Sequence, residues 1–448
     1  MNNYKTVIMA GGRGSRISKL FPDIPKPLIP IKDKNGIERA VLEWEIRSLV
    51  KQNFKEIILT VGYRAEQIKD YFGTGEKFGA NIFYFVEDSP LGNAGALFKM
   101  RDFFSEPFLL LNADAVFEID FNRMVEFHNS HNGFVTLFTH PNSHPYDSGL
   151  IFADKNNMVT SWLTKEDTRP QFYKNRVNAG IHVIDPYVLD LTAKRLPFDV
   201  SQIGDMDEKG NMRQVDLDRQ ILKPLCNTGL MYCYDSPEYV KDMGTPERFF
   251  SVFRDFQNGI VTAKNLTKRQ KAVFLDRDGT LNKYVGFLKD IAQFELIDGV
   301  VDAIKLINES GYLAIVVSNQ PVVARGEFTF DQLQNIHNKL ETLLCAEGAY
   351  LDAIYYCPHH PDKGYVGEIS QLKINCNCRK PKPGMLIKAS KDFNIDFRNS
   401  WMIGDSETDI KAGKTAGCKT VLIGKSGNYG QDLTVGNLLE AIKEILGK

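Results

Sequence analysis

At 448 residues the chain is too long for one compact core, and length alone argues for two or three domains. Its 55 basic and 56 acidic residues almost cancel, which argues against nucleic acid or a membrane surface as the main partner. Hydrophobic residues make up 43%, yet no window approaches the roughly 18 apolar residues of a membrane span, so an ordinary globular protein is expected.

The N-terminus, MNNYKTVIMAGG, enters a strand at once, with no basic leader or cleavage site, and the expected address is the cytoplasm. Asn265-Leu266-Thr267 is then an unused glycosylation triplet. In the first half, TVIMA (6–10), EIILTVG (56–62), NIFYFVE (81–87) and PFLLLNAD (107–114) read as strands. ERAVLEWEIRSLVKQ (38–52) has helical period. The polar stretch QNGIVTAKNLTKRQ (257–270) reads as a linker. Beyond it, KAVFLD (271–276), LAIVVSN (313–319), AIYYC (353–357), WMIGD (401–405) and KTVLIG (419–424) read as strands, with a helix over 330–348. Strand-helix alternation of this kind predicts two α/β domains, Rossmann-like and doubly wound, with largely parallel sheets. The expected domains are 1–256 and 271–448.

AGGRGSRI follows a strand, so Gly11, Gly12 and Gly14 can turn backbone amides towards an anion, and Arg13 and Arg16 add forked donors. The loop lacks the third glycine of the dinucleotide fingerprint and the Gly-Lys-Ser/Thr of a P-loop. Lys26 stands between two prolines, which would hold an ammonium in one place; the bland alternative is a surface loop. LGNAGAL, with Gly92 and Asn93, is a second glycine turn able to hug a base or ribose. Asp114 and Asp242 fall at strand-end turns and suit Mg²⁺, unless they are a strand-end cap and a helix N-cap.

In their order, AGGRGSR, PKPLIPI, LGNAGAL, NAD, NAGIHVID (178–185) and DMGTPERF resemble the sugar-1-phosphate nucleotidyltransferase family over nearly all of residues 1–255. The resemblance implies attack of a sugar 1-phosphate oxygen on the α-phosphorus of a nucleoside triphosphate, with loss of pyrophosphate. Gly11, Gly12 and Arg16 would hold the triphosphate, and Lys26 would offset charge on the α-phosphoryl group. Asp114 and Asp242 would hold Mg²⁺. Lys165, Asn178 and Gly180 would face the sugar, although Thr164 replaces the glutamate that usually precedes the lysine.

FLDRDGTLN puts Asp276 and Asp278 two residues apart after a buried strand, where side chains would point the same way if the strand continued. One carboxylate can attack phosphorus while the other shuttles the proton. Ser318, Asp405 and Asp409 follow at or just after later strands, and RKPKPG (379–384) supplies Lys380. The ordered set resembles the haloacid dehalogenase superfamily of phosphatases over 271–448. By that resemblance Asp276 is the nucleophile and Asp278 the acid/base. Asp276, the Asp278 carbonyl and Asp405 hold Mg²⁺, and Ser318 and Lys380 bind the phosphoryl group.

Seven cysteines, an odd number scattered along the chain, argue against a disulfide framework. Cys357, His359, Cys376 and Cys378 instead have the donor set of a closed structural Zn²⁺ site, against the alternative of a reduced loop without metal. His360 falls off that spacing and is expected at the surface. Beside DRDGTLN the loop resembles the heptose bisphosphate and histidinol phosphatase branch. There Arg379 would meet the distal phosphate or the sugar. Pro321-Val322 replaces a common Ser-Gly, with Asn319 and Arg325 left as substrate contacts.

Together the two resemblances imply a bifunctional enzyme of nucleotide-activated heptose synthesis. A phosphatase would make heptose 1-phosphate, and a transferase, with GTP preferred, would activate it. Mg²⁺ serves both halves in this reading, Zn²⁺ is structural, and a homo-oligomer is compatible with it. The rivals are a histidinol or hexose phosphate substrate with another nucleotide, and a sugar-nucleotide sensor with inactive sites.

Overall fold

The computed structural model describes residues 4–448 apart from Arg13, Ser15, Asp114, Phe287, Lys289, Lys425 and Ser426. Two units separate. The first comprises Met1–His140, Gly149–Thr164 and Val177–Thr262, and the second Pro141–Ser148, Lys165–Arg176 and Ala263–Lys448. Two short stretches of the first half of the sequence therefore belong with the second unit.

The first unit is built on a nine-stranded sheet. Its parallel heart orders Phe108–Asn112, Thr6–Met9, Glu56–Val61 and Asn81–Val86 side by side. The first three are apolar and largely buried on both faces, as a covered parallel sheet requires, whereas the edge strand Asn81–Val86 leaves Phe83 exposed. Val7 and Leu110 enter one core, with Leu137 and Leu222, whereas Ile8, Leu109 and Leu111 enter the other, with Ile46 and Leu59. On the far side of Phe108–Asn112 the sheet turns antiparallel through Val177–Ile184, which also pairs with Val135–His140 and touches Leu150–Ala153. The sheet is therefore mixed rather than largely parallel. The expected helix over 38–52 starts later, because Glu38–Ala40 pairs with Pro30–Lys32 and the helix is Val41–Lys51. A separate antiparallel pair sets Tyr239–Asp242 on Ala115–Glu118, with Asp242 opposite Ala115, the sequence neighbour of Asp114.

The second unit has a six-stranded sheet, parallel throughout, in the order Ala353–Cys357, Tyr312–Asn319, Lys271–Leu275, Trp401–Gly404, Lys419–Ile423, Leu433–Val435. Alternation again divides two cores, Val273, Leu275 and Val316 on one face and Phe274, Ile315 and Val317 on the other. All strands run one way, so Asp276, Ser318 and Asp405 come to the same carboxyl edge, where such sheets bind ligands.

The stretch 257–270 is packed. Val261 joins a core of the first unit, while Lys264, Asn265, Leu266 and Gln270 are buried in the second. Lys264 Nζ lies 3.3 Å from Asp352 Oδ1. Within the second unit, Arg176 and Glu341 form an ion pair at 3.7 Å with side chains only 5% and 4% exposed. Asn175 N–H donates to Glu341 Oε2 and Tyr173 N–H to Thr342 Oγ1.

Candidate active sites

In the first unit a cavity of about 250 Å³ is lined by Met9, Ala10, Gly12, Gly14, Arg16, Lys26, Pro27, Ala113 and Gly244. Four of the phosphate-handling residues named from the sequence are thus brought to one place. Gly14 has φ +57°, and a Cβ there would sit 3.3 Å from Lys26 Cβ, so the loop reaches the lysine only with glycine. Lys26 is buried in a short 3-10 turn, Lys26–Leu28, with Pro25 ahead of it and Pro27 after it. Gly11 flanks this cavity on the Glu87 side, where its added Cβ would lie 3.1 Å from Glu87 Oε1.

Asp242 ends its strand beside Gly244, whose N–H it accepts, and it pairs with Arg248, which sequence reasoning did not single out. The helix N-cap here is Thr245, not Asp242. A Cβ on Gly244 would lie 3.1 Å from Arg16 Nη2, so Arg16 and Asp242 converge on that glycine. Three polar groups around a glycine-lined cavity suit an anion carried with a divalent cation. Arg13 and Asp114, expected here, lie outside the described residues.

The remaining transferase residues sit apart from the cavity lining. Asn93 Oδ1 accepts the Leu217 N–H at 2.7 Å, and a Cβ on Gly92 would meet Val215 O at 2.5 Å. The LGNAG turn is thus fastened to residues 215–217, and Asn93's carboxamide oxygen is already engaged. Asn178 and Gly180 lie on the bulged strand Val177–Ile184, Gly180 at φ +72° against Asn112. Lys165 is exposed and lies in the stretch counted with the second unit.

In the second unit the strand stops at Leu275, so Asp276 and Asp278 follow it in a turn rather than on one strand face. Their surroundings differ accordingly. Asp276 is buried, with Oδ1 2.6 Å from Lys380 Nζ, and Lys380 lies equally close, at 2.6 Å, to Asp409. Burial pushes Asp276 up to about 7; Lys380 opposes the rise, and Asp409 and Asp278 add to it. Lys380 is itself held above the ordinary lysine range, because its two carboxylates outweigh its burial. Asp278 goes the other way. Burial works against its charge, but the Arg277 guanidinium and hydrogen bonds from Gln320 and Asn282 carry it below the usual carboxylate range.

Arg277 and Gln320 were not anticipated from the sequence. Arg277 is almost wholly buried and grips Asp278 at 2.9 Å through Nη2, which also donates to Gln320 Oε1. Gln320 Nε2 reaches both Asp278 Oδ2 at 2.7 Å and Ser318 Oγ at 2.8 Å. Asn319 brackets the Lys380 backbone, donating to its carbonyl and accepting its N–H, each at 3.0 Å.

Asp276, Asp405 and Asp409 present oxygens that all lie within 4.8 Å of one another. Asp409 takes the third carboxylate position, and Asp278's side chain stays outside the group. Asp409 is held by Ser406, whose N–H and Oγ both donate to Oδ2. Gly279, at φ +86°, would put a Cβ 2.1 Å from Asp405 Oδ2, so glycine permits that approach. Three carboxylates share one ammonium, an excess of negative charge that a hard divalent cation fits.

Cys357, His359, Cys376 and Cys378 also gather within 4.8 Å. Their sulfurs are 3.2 to 3.4 Å apart, with His359 Nδ1 3.3 Å from Cys378 Sγ, and all seven cysteines of the chain are free thiols. Three sulfurs and an imidazole nitrogen around one point fit a tetrahedral soft-metal site. Arg379, which donates to His359 O at 3.3 Å, and Lys380 follow Cys378 directly. His360 is buried, not at the surface as expected, because the loop folds it beside Arg325, 3.3 Å away, and against Tyr365. Arg325 in turn lies 4.5 Å over the Tyr365 ring.

A family model described as nucleotidyl transferase matches residues 5–259, and one described as HAD-hydrolase-like matches 377–437. The D-glycero-beta-D-manno-heptose-1,7-bisphosphate 7-phosphatase of Pasteurella multocida is 46% identical over 158 residues, 35% of this chain and 83% of that protein. The protein of the same name from Escherichia coli K12 is 40% identical over 162 residues, 36% of this chain and 83% of its own length. HddC from Yersinia pseudotuberculosis, a solved structure, covers 56% of this chain and 99% of its own at 22% identity, with a TM-score of 0.45. The chain thus belongs to the nucleotidyl transferase family over more than half its length, and its second unit belongs with the heptose-1,7-bisphosphate 7-phosphatases.

Proposed function

We propose that the two units catalyse consecutive steps in making a nucleotide-activated heptose. The second removes the 7-phosphate of D-glycero-D-manno-heptose 1,7-bisphosphate, and the first joins the remaining 1-phosphate to GMP from GTP. The observation that carries this reading is the buried Asp276–Lys380–Asp409 constellation with Asp278 beside it, in a unit whose relatives bear that phosphatase name.

In the first step an Asp276 oxygen attacks the phosphorus and the bond to the sugar oxygen breaks. The leaving alkoxide takes a proton from Asp278, which enters this step as the carboxylic acid after taking a proton from solvent as the substrate's negative charge arrives. Asp278 then takes a proton from water, whose oxygen attacks the aspartyl-phosphate, releasing phosphate and Asp276. Ser318 and Lys380 hold the phosphoryl oxygens, while Asn319, Arg325 and Arg379 meet the rest of the substrate. A Mg²⁺ held by Asp276, Asp405, Asp409 and the Asp278 carbonyl would neutralise charge as carboxylate and phosphate approach. In the second step a sugar phosphate oxygen attacks the α-phosphorus and pyrophosphate departs. Gly11, Gly12, Gly14, Arg13 and Arg16 hold the triphosphate, and Lys26 stabilises the α-phosphoryl group. Asp114 and Asp242 are the Mg²⁺ ligands in this unit, and Cys357, His359, Cys376 and Cys378 hold structural Zn²⁺. Gly92, Asn93, Asn178 and Gly180 make up the base and sugar side.

The domains so assigned are 1–256 and 271–448, working in the cytoplasm, where nucleoside triphosphates are available. The test supplies purified protein with heptose 1,7-bisphosphate, Mg²⁺ and each nucleoside triphosphate in turn, following phosphate and pyrophosphate. Phosphate release and GTP-dependent pyrophosphate are expected; no phosphate from any sugar bisphosphate would sink the reading. Asp276→Asn should abolish phosphate release yet leave transfer to supplied heptose 1-phosphate intact, and Lys26→Ala should do the reverse. Loss of both activities in either variant would contradict independent sites.

A further inference from the structure

The strand Val177–Ile184 carries a histidine where packing asks for none. His182 is fully buried, in register with Leu110 on one side and Leu137 on the other. Burial holds its imidazole neutral, with the pKa lowered to about 3. Nδ1 is buried without a hydrogen-bond partner among the described residues. An unpaired buried nitrogen is destabilising, and a leucine or valine at 182 would avoid it. What the histidine does make is one contact, Nε2 to Asn178 Oδ1 at 3.1 Å.

The identity of that bond follows from a neighbour. Gly180 N–H can only donate, and it reaches the same Asn178 atom at 3.3 Å. That atom is therefore the carboxamide oxygen, and His182 donates to it from Nε2. The strand register shifts between Asn178 and His182, with Gly180 at φ +72°, and this bulge is what lets the two side chains meet. A Cβ on Gly180 would lie 2.6 Å from Asn112 Nδ2, so the bulge is packed against the end of the strand Phe108–Asn112. With its oxygen engaged by two donors, and no acceptor for Nδ2 among the described residues, Asn178 has its Nδ2 hydrogens left to offer a ligand.

We infer that His182 is a positioning residue, fixing Asn178 as a hydrogen-bond donor to an acceptor oxygen of the sugar phosphate. The inference rests on Asn178 facing the sugar. The test is steady-state transfer by the full chain with GTP and heptose 1-phosphate, comparing Asn178→Ala, His182→Leu, His182→Gln and the Asn178→Ala/His182→Leu double variant. His182→Leu should raise KM for the sugar phosphate about tenfold, the scale of one hydrogen bond, with KM for GTP unchanged. His182→Gln, which restores an N–H donor, should recover most of that loss. The double variant should match Asn178→Ala alone. Equal rises in both KM values, or no change, or a glutamine that rescues nothing while Asn178→Ala remains defective, would overturn the positioning role. If Asn178→Ala itself leaves the sugar phosphate KM unchanged, the placement of Asn178 at the sugar falls first, and the role of His182 with it.

Discussion

His337 lies on the helix Phe330–Ala346, buried, its ring 5.2 Å from Tyr356 and its Nε2 without a hydrogen-bond partner among the described residues. Burial lowers its pKa to about 3, the Arg277 charge helps, and Asp278 opposes. An unfolded histidine titrates near ~6.5. Between those values the unfolded chain binds a proton that the native unit does not. Stability should therefore fall as pH drops below about 6.5, by up to ~1.4 kcal/mol per pH unit from this one group. His337→Leu removes that proton, so the urea midpoint of the second unit should fall less steeply between pH 6 and pH 4.5. Parallel slopes for variant and parent would mean that His337 is already charged in the native state. At this scale the groups proposed to react were easier to name from the sequence than the side chains around them. Asp276 and Lys380 stand in recognisable turns, and Asp409 stood in view four residues after Asp405. Arg277, Gln320 and His182 are set by buried side-chain contacts, which leave no spacing signal.

At the scale of elements, central parallel strands such as Thr6–Met9, Glu56–Val61, Phe108–Asn112 and Lys271–Leu275 were legible because they are largely buried on both faces and read as nearly unbroken apolar runs. Val135–His140, Leu150–Ala153, Val159–Leu163 and Met231–Asp235 were not named in advance. Val135–His140, Val159–Leu163 and Met231–Asp235 mix polar and aromatic residues, and Met231–Asp235 pairs with Val135–His140 from far along the chain; Leu150–Ala153 is apolar but only four residues long. The Cys/His loop was legible for a different reason: metal donors keep their spacing whatever structure lies between them. That loop ties chemistry to folding, since Cys376 and Cys378 precede Arg379 and Lys380. Cys376→Ser should reduce bound zinc below one per chain and lower phosphatase kcat at least tenfold, the order seen when metal-site support is lost. Transfer from supplied heptose 1-phosphate should be unaffected. Unchanged zinc content, measured by plasma emission on the dialysed protein, would remove Cys376 from the ligand set.

At the scale of the molecule, chain order and compact unit do not coincide. The sequence suggests a boundary in 257–270; the two units meet along the chain at Thr262 and Ala263, and Pro141–Ser148 and Lys165–Arg176 belong with the second unit. No composition shift marks those stretches; what holds Lys165–Arg176 in the second unit is a set of contacts such as Arg176 with Glu341 and Tyr173 with Thr342. A fragment beginning at residue 263 keeps Lys264 for Asp352 but lacks Arg176 for Glu341. Removing one partner of a buried ion pair costs about 3–5 kcal/mol, since the other charge remains desolvated. The fragment 263–448 should therefore unfold at lower denaturant than the second unit of the full chain, by about that free energy. Glu341→Leu should recover part of the loss in the fragment, where it removes an unpaired charge. In the full chain the same substitution should destabilise the unit or leave it unchanged, because there Glu341 has Arg176 and also accepts the Asn175 N–H. Equal effects of Glu341→Leu in both backgrounds, followed by urea unfolding, would show that the second unit does not depend on Arg176.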